Sequence, residues 1–382
     1  MTCRFVTSAV VLALPVRNPG TAPRRAGTDR RRSCGRSNTA SRVWGRGDTA
    51  PRQKGGGCVR VLVTGAAGFI GAHVVEALAG DYGVMGVDDF SSGTLERVGD
   101  IAVQRLDVTD PDAVMRAFRA FRPDAVLHLA AQVGVERSAA EADRQLGVNV
   151  YGTMNVLQAA AACGTGRVVL ASSAAVYGNP RRLPVDEDHP TDPLSVYGRT
   201  KLAAERLVRE CARDGGFEYV ILRLGNVYGP RQRRETGPVV ASFFLDALEG
   251  RGLTIFGDGL QTRDFVYVRD VAQAFRLALH CPPGVVANVG GGSATSIRDL
   301  AEMVCRLVGT SVRPRFAPPR PGDIRASVLA GDVARRRLGW KAAVDLVTGL
   351  RETCEWYRGL AAQGVAGAAS ATERARTRIS SP

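Results

Sequence analysis

The sequence predicts an α/β protein: a doubly wound parallel sheet with a smaller, mixed α/β C-terminal lobe. Three observations predict it. Short apolar runs alternate with amphipathic stretches from residue 59 onward, the pattern of parallel strands joined by crossover helices. The first run, VLVTGAAGFIG at 61–71, passes through a glycine loop into a helix. The second, Val84–Val87, ends in Asp88, 23 residues after Gly65.

In the first loop, Gly65 lets the chain turn at the strand end, Gly68 lets backbone approach a pyrophosphate, and Gly71 lets the helix lie close on the sheet. Phe69 and Ile70 open that helix, which runs to Ala79, and its free N–H groups face the phosphates. Asp88 stands where an acid takes the adenosine ribose hydroxyls of a Rossmann-type site. Asp89 follows it instead of Arg or Lys, so NAD is favoured over NADP.

A third strand, Ile101–Leu106, leads to Asp107 and Val108. Asp107 either accepts from the adenine amino group or serves as a helix N-terminal acid before Pro111. A helix Pro111–Phe121 and a strand Ala125–His128 follow. Ala130 and Ala131 then make a loop with little bulk, suited to passing under a pyrophosphate or nicotinamide. His128 is given no role. A helix Leu146–Ala162 carries Asn149 near its start, to tie a neighbouring strand's backbone or simply to face solvent.

The strand Arg167–Ala171 opens into SSAAVYG, and a helix from Ser195 carries Tyr197 and Lys201 four residues apart on one face. The chain uses 48 Arg and three Lys, so a Tyr followed by Lys at that spacing is expected roughly 0.06 times by chance. A compact ammonium beside a phenol favours its ionised form, which a broad guanidinium fork does less well. The bland alternative is a surface contact between neighbours on a helix.

Past the strand Glu218–Leu224, helices are expected over Pro238–Glu249, Val268–Leu279, Ser296–Val308 and Asp345–Tyr357. Arg231, Arg263, Arg320 and Arg325 lie in the glycine- and proline-rich loops between them and suit a second pyrophosphate.

The net charge of +14 suggests nucleic acid until it is divided along the chain: residues 1–58 carry +10 and the other 324 only +4. The domain plan is therefore a disordered basic leader over 1–58, a dinucleotide domain over 59–235, and a mainly substrate lobe over 236–360. Residues 264–292 return to the first domain, and 361–382 form a disordered tail. The abrupt change at Val59 suggests that translation begins near there. Eight cysteines without CxxC or Cys/His clusters fit a cytoplasmic chain with no metal, and no run of 18 apolar residues exists.

These motifs resemble the extended short-chain dehydrogenase/reductase family, and within it the NAD-dependent nucleotide-sugar epimerases of the UDP-glucose 4-epimerase type. TGAAGFIG, HLAAQ, NVYGT, SSAAVYG, YGRTK, LRLGNVYGPRQ, GDGLQTRDFVYVRDV and RPGDIR carry the resemblance over residues 59–358. It implies a catalytic Ser173, Tyr197 and Lys201, with Tyr197 and Lys201 also at the cofactor. It implies substrate contacts at Ser173, Asn226, Arg263, Arg320 and Asp323, a homodimer, and a UDP-hexose substrate. Ala174 and Ala175 replace the acids that sugar dehydratases carry before VYG. Leu224, Gly225 and Val133 depart from the usual epimerase pattern.

The chemistry implied is transient oxidation and re-reduction at sugar C4, with the Tyr197 pKa lowered by Lys201 and by the nicotinamide. Ser327 falls where a bulky residue excludes N-acetyl groups, so UDP-N-acetylhexosamines are expected to be tolerated. The alternatives are a UDP-glucuronate epimerase or decarboxylase, a 4-keto-sugar reductase, and a non-catalytic NAD-binding sensor.

Overall fold

The computed structural model describes residues 58–134, 138–320 and 323–362. The leader to residue 57, with Cys3 and Cys34, and the tail beyond 362 lie outside these residues. The first half contributes β1 (Arg60–Thr64), α1 (Phe69–Leu78), β2 (Gly83–Asp88), β3 (Arg97–Val98), β4 (Ile101–Arg105), α2 (Pro111–Phe121), β5 (Ala125–His128), α3 (Ala139–Leu146), α4 (Thr153–Ala162) and β6 (Arg167–Ser173). The second half contributes α5 (Val196–Gly215), β7 (Glu218–Leu224), β8 (Asn226–Tyr228), α6 (Val239–Leu248), β9 (Thr254–Phe256), β10 (Thr262–Tyr267), α7 (Val268–Ala278), β11 (Val285–Val289), β12 (Ala294–Ser296), α8 (Ile297–Val308), β13 (Arg315–Ala317) and α9 (Leu346–Ala362).

The main sheet has the order β11-β7-β6-β5-β1-β2-β4-β3 and is parallel except for the β3–β4 hairpin. After β1 the chain builds outward through β2 to β4, then returns to place β5 on the other side of β1. That reversal opens a crevice beyond the carboxyl ends of β1 and β5, where open parallel sheets bind ligands.

The two faces follow from strand periodicity. Val61 and Val63 enter one apolar layer with α1 and α7, while Leu62 enters the other with α2, α4 and α5. The lobe has its own core, where Phe243 and Phe244 of α6 meet Leu300 of α8 and Tyr357 of α9. β8 joins the lobe's sheet beside β10, although it falls within the span expected for the dinucleotide domain. Beyond it, α7 and β11 return to the main sheet's layers.

One helix differs from expectation. The helix expected at Leu146 starts at Ala139, capped by the Ser138 hydroxyl on the Glu141 N–H at 3.3 Å, and passes through a π turn over Gly147–Gly152 before continuing as α4. A Cβ at Gly152 would stand 2.6 Å from a Val108 methyl, so the wider turn lies directly against the strand loop carrying Val108. The last helix also runs five residues further than expected, to Ala362. No helix among the described residues is long and apolar enough to cross a membrane.

Candidate active site

A cavity of about 880 Å³ occupies the crevice. Its floor is the glycine loop. Gly65 has φ +72°, and a Cβ at Gly71 would lie 1.9 Å from the Gly65 carbonyl oxygen, so α1 packs onto the loop itself and not only onto the sheet. Gly68 begins α1 with no side-chain cap, and no acidic residue stands in the first turn, so backbone N–H groups at Phe69 and Ile70 are open to an anion. Gly71→Ala is therefore expected to displace the loop. NAD binding measured by titration should be lost and Tm lowered by several degrees; unchanged NAD affinity would contradict this packing account.

Asp88 closes one end of the crevice. Its carboxylate accepts from Ala67 N at 3.0 Å and Phe90 N at 2.8 Å, and burial nevertheless pushes its pKa up. Val108 and the backbone of Ala130 and Ala131 complete the wall. The uncapped helix start, the glycine contacts and the strand-end acid all fit a dinucleotide, and among the described residues no cluster fits a metal.

Asp107 does not cap α2, since Asp110 does, accepting from Asp112 N at 3.0 Å and Ala113 N at 2.9 Å. Asp107 is exposed, bonded to Thr109, and borders a smaller hollow of about 290 Å³ shared with Asp89 and Gln132. Asn149 stays out of the cavity wall. It grips Gln132 through both backbone groups, at 2.8 and 3.0 Å, and donates to Thr200 Oγ1 at 2.9 Å, so it fastens the loop after β5 to α5.

His128 supports the same loop, although sequence reasoning gave it no role. The Thr153 hydroxyl donates to Asn149 O at 2.7 Å, so His128 Nε2 carries the proton directed at Thr153 Oγ1, 2.9 Å away. His128 Nδ1 then accepts from Thr64 Oγ1 at 2.8 Å, which leaves that oxygen to accept from Leu129 N and Ala130 N. Burial holds the imidazole neutral, with its pKa down at about 3.

At the other end, Tyr197 and Lys201 project from the first turns of α5 into the wall beside Ala171 and Ser172 of β6. The Tyr197 hydroxyl is hydrogen-bonded to Ser173, whose Oγ also accepts from Ala175 N at 3.2 Å. Lys201 donates to Ala171 O at 2.9 Å, with Nζ 6.0 Å from the centre of the Tyr197 ring.

The Tyr197 pKa, expected to be lowered, stands above its ordinary value in the chain without cofactor. Burial pushes the phenol up to about 12 against the opposing Ser173 hydroxyl, and burial brings Lys201 itself down to about 8. The ammonium is turned toward a carbonyl, and water is too scarce to stabilise either charged form.

Beneath the pair lies a network that sequence reasoning missed. Ser172 Oγ donates to Glu205 Oε1 at 2.6 Å, and Glu205 takes Arg223 through two bonds at 2.8 and 2.9 Å. Arg223 also donates to the Tyr177 hydroxyl at 3.0 Å. It locks β6, β7 and α5 together, with Ser172 bonded on one side and Ser173 facing Tyr197 on the other. The only sequence signal was charged residues at strand and helix positions that the periodicity buries.

Apart from Ser173, which meets the wall at Tyr197, the residues expected at the substrate lie outside the cavity wall. Arg263 pairs with Asp323 and donates to Ile324 O at 2.5 Å, while Asp264 Oδ2 accepts from Leu329 N at 2.9 Å. Successive residues of β10 thus hold both ends of the stretch carrying half-buried Ser327. Arg320 stacks on Phe256 with its guanidinium 4.0 Å from the ring centre, and exposed Asn226 starts β8 opposite Phe265. Of the other two loop arginines, Arg325 pairs with Asp258, whereas Arg231 reaches Glu76 on α1 and lines the cavity with the glycine loop.

A glycine-looped parallel sheet, with a serine at a strand end facing a tyrosine and a lysine on the following helix, defines a dinucleotide-dependent enzyme of the extended short-chain dehydrogenase/reductase class. The chain belongs to the NAD dependent epimerase/dehydratase family, whose model matches residues 61–290. It is 40% identical over 311 residues to a UDP-glucose 4-epimerase of Mycolicibacterium smegmatis, covering 78% of this chain and 99% of that one. Two solved structures are similar. The UDP-glucose 4-epimerase of Thermotoga maritima with UDP-glucose has TM-score 0.77 and 37% identity, over 79% of this chain and 99% of its own. That of Thermus thermophilus with NAD has TM-score 0.75 and 38% identity, with the same coverage.

Proposed function

We propose that the protein is an NAD-dependent nucleotide-sugar 4-epimerase acting on UDP-glucose and UDP-galactose. The observation that carries this is the Ser173–Tyr197 hydrogen bond at the end of β6, set in the wall of a dinucleotide cavity whose nearby buried cation is Lys201. NAD, when bound, supplies the oxidant: it takes up hydride from sugar C4, returns it to the other face, and carries a positive ring charge while oxidised.

The chain does the rest. Tyr197 takes the proton from the sugar 4-hydroxyl and later gives it back, acting as a general base and then a general acid. Ser173 shares a hydrogen bond with that phenol and orients the sugar oxygen. Lys201, with its pKa near 8, is charged at neutral pH and favours the phenolate once a second positive charge reduces the cost of ionisation. The Glu205–Ser172 bond and the Arg223 ion pair keep these groups in register.

Asn226, Arg263, Arg320 and Asp323 contact the substrate in this reading, the two arginines at its diphosphate, with Ser327 beside the sugar. A small hydroxyl at 327 leaves room for an acetamido group. With a panel of UDP-, dTDP- and GDP-sugars and NMR of the products, UDP-galactose and UDP-N-acetylglucosamine should both be epimerised, with rates within about tenfold of each other, the low end of what one methylene-sized contact discriminates. Negligible turnover of the second beside good turnover of the first would remove Ser327 from the account. Carbon dioxide from a uronate, or net consumption of NADH, would point to decarboxylation or reduction instead.

A second copy of this chain, docked on α5, which bears Tyr197, and on the helix before it, where Leu146 and Tyr151 are exposed, completes the proposed enzyme. The described cysteines are all free, which suits the reducing cytoplasm in which we place it.

A further inference from the structure

Arg231 combines an unusual backbone with an unused donor. Its φ is +69°, a region that residues with side chains rarely adopt, and strained backbone of this kind persists where a ligand or a clamp needs it. One guanidinium nitrogen, Nη2, donates to Glu76 on α1 at 2.6 Å. The other, Nη1, is buried without a hydrogen-bond partner among the described residues, and Arg231 lines the same cavity as Gly68 and Phe69.

The neighbours of Arg231 place this segment next to the glycine loop. Arg233 donates to Ser92 O at 3.3 Å, and the adjoining Gly93 packs so tightly on Ala67 that a Cβ there would lie 2.5 Å from the Ala67 carbonyl. From the lobe, the Tyr357 hydroxyl donates to Gln232 O. The segment 229–235 therefore spans from α9 to α1 and to the turn after β2, along the open side of the loop that takes the phosphates.

We infer that Arg231 binds the pyrophosphate of the bound dinucleotide from the lobe side, so that segment 229–235 forms a clasp opposite the glycine loop. A buried guanidinium N–H lacking an acceptor is costly, and an oxyanion is the acceptor it fits best. The diphosphate of the sugar nucleotide is the weaker choice, because Arg263, Arg320 and Asp323 lie outside this cavity. The inference rests on the NAD-dependent reading above.

The test is calorimetric titration of NAD and of adenosine into cofactor-stripped protein: wild type, Arg231→Ala, Arg231→Gly and Glu76→Gln. Both Arg231 variants should raise the NAD Kd ten- to hundred-fold, the loss of one charge-assisted hydrogen bond, and leave adenosine binding unchanged. The glycine variant relieves the backbone and should still lose NAD. Glu76→Gln keeps the guanidinium and should stay within about threefold of wild type. NAD affinity unchanged in Arg231→Ala, or NAD and adenosine weakened alike, would overturn the inference while leaving the cofactor assignment standing. Wild type that binds adenosine but not NAD would overturn the cofactor reading, and the inference with it.

Discussion

Tyr197→Phe is expected to lower kcat for UDP-galactose by about three orders of magnitude, the effect of removing a positioned general base. NAD should remain bound, because the cavity wall loses one oxygen and no volume. The phenol is the group that must change protonation for a C4 oxygen to become a carbonyl, and burial holds it at about 12 in the chain alone. A companion Ser173→Ala should lose less, about ten- to hundred-fold, since it orients the oxygen but does not accept the proton. Stopped-time NMR assays of each variant, with the NAD content measured in parallel, check both. Activity within tenfold of wild type in the phenylalanine variant would remove the phenol from the mechanism.

Lys201→Met should abolish turnover and at the same time stabilise the cofactor-free fold. The ammonium is 4% exposed, and burial lowers its pKa from 10.5 to about 8. That displacement corresponds to about 3 kcal/mol of native-state cost at neutral pH. The sign follows from proton counting. Between pH 8 and 10.5 the unfolded chain holds a proton at this lysine that the folded chain has released, so wild-type stability rises with pH across that window. Methionine has no such term. Urea unfolding at pH 7 should therefore show the variant more stable, with the gap closing as pH approaches 10.5. A variant less stable than wild type at pH 7 would mean that the bond to Ala171 O and the attraction of Glu205 outweigh the desolvation. Sites that gain stability when disabled are those built for chemistry and not for folding.

Much of the fold was legible because strand and helix periods separate cleanly in this chain. Pro111 and Phe121 bound α2, and Ala125 and His128 bound β5, where the sequence places them. The start of α3 was missed, because the apolar pattern that set the expected boundary begins at Leu146, eight residues after the Ser138 cap. The π turn was not legible, because no residue spacing marks it and its neighbour Val108 comes from a distant loop.

The candidate site divides in the same way. Gly65, Gly71, Tyr197 and Lys201 announce themselves by spacing along one strand or helix. Asn149, by contrast, was offered either a backbone tie or a solvent-facing place, and only its contacts with Gln132 and Thr200 choose between them. The Glu205–Arg223 pair and the His128 relay join residues from separate elements, so no local spacing marks them. Arg231 was grouped with the other loop arginines because loops conceal direction: which wall a long side chain reaches is decided by the left-handed turn at that residue.

The most direct measurement follows the atom at C4 itself. UDP-galactose carrying deuterium at that carbon, incubated in ordinary water with the purified protein and no added NAD, should yield UDP-glucose with the deuterium still on C4 and the bound NAD regenerated. Product that has exchanged its deuterium for solvent hydrogen, or conversion that proceeds after the dinucleotide has been stripped away, would contradict oxidation and return within a single closed site.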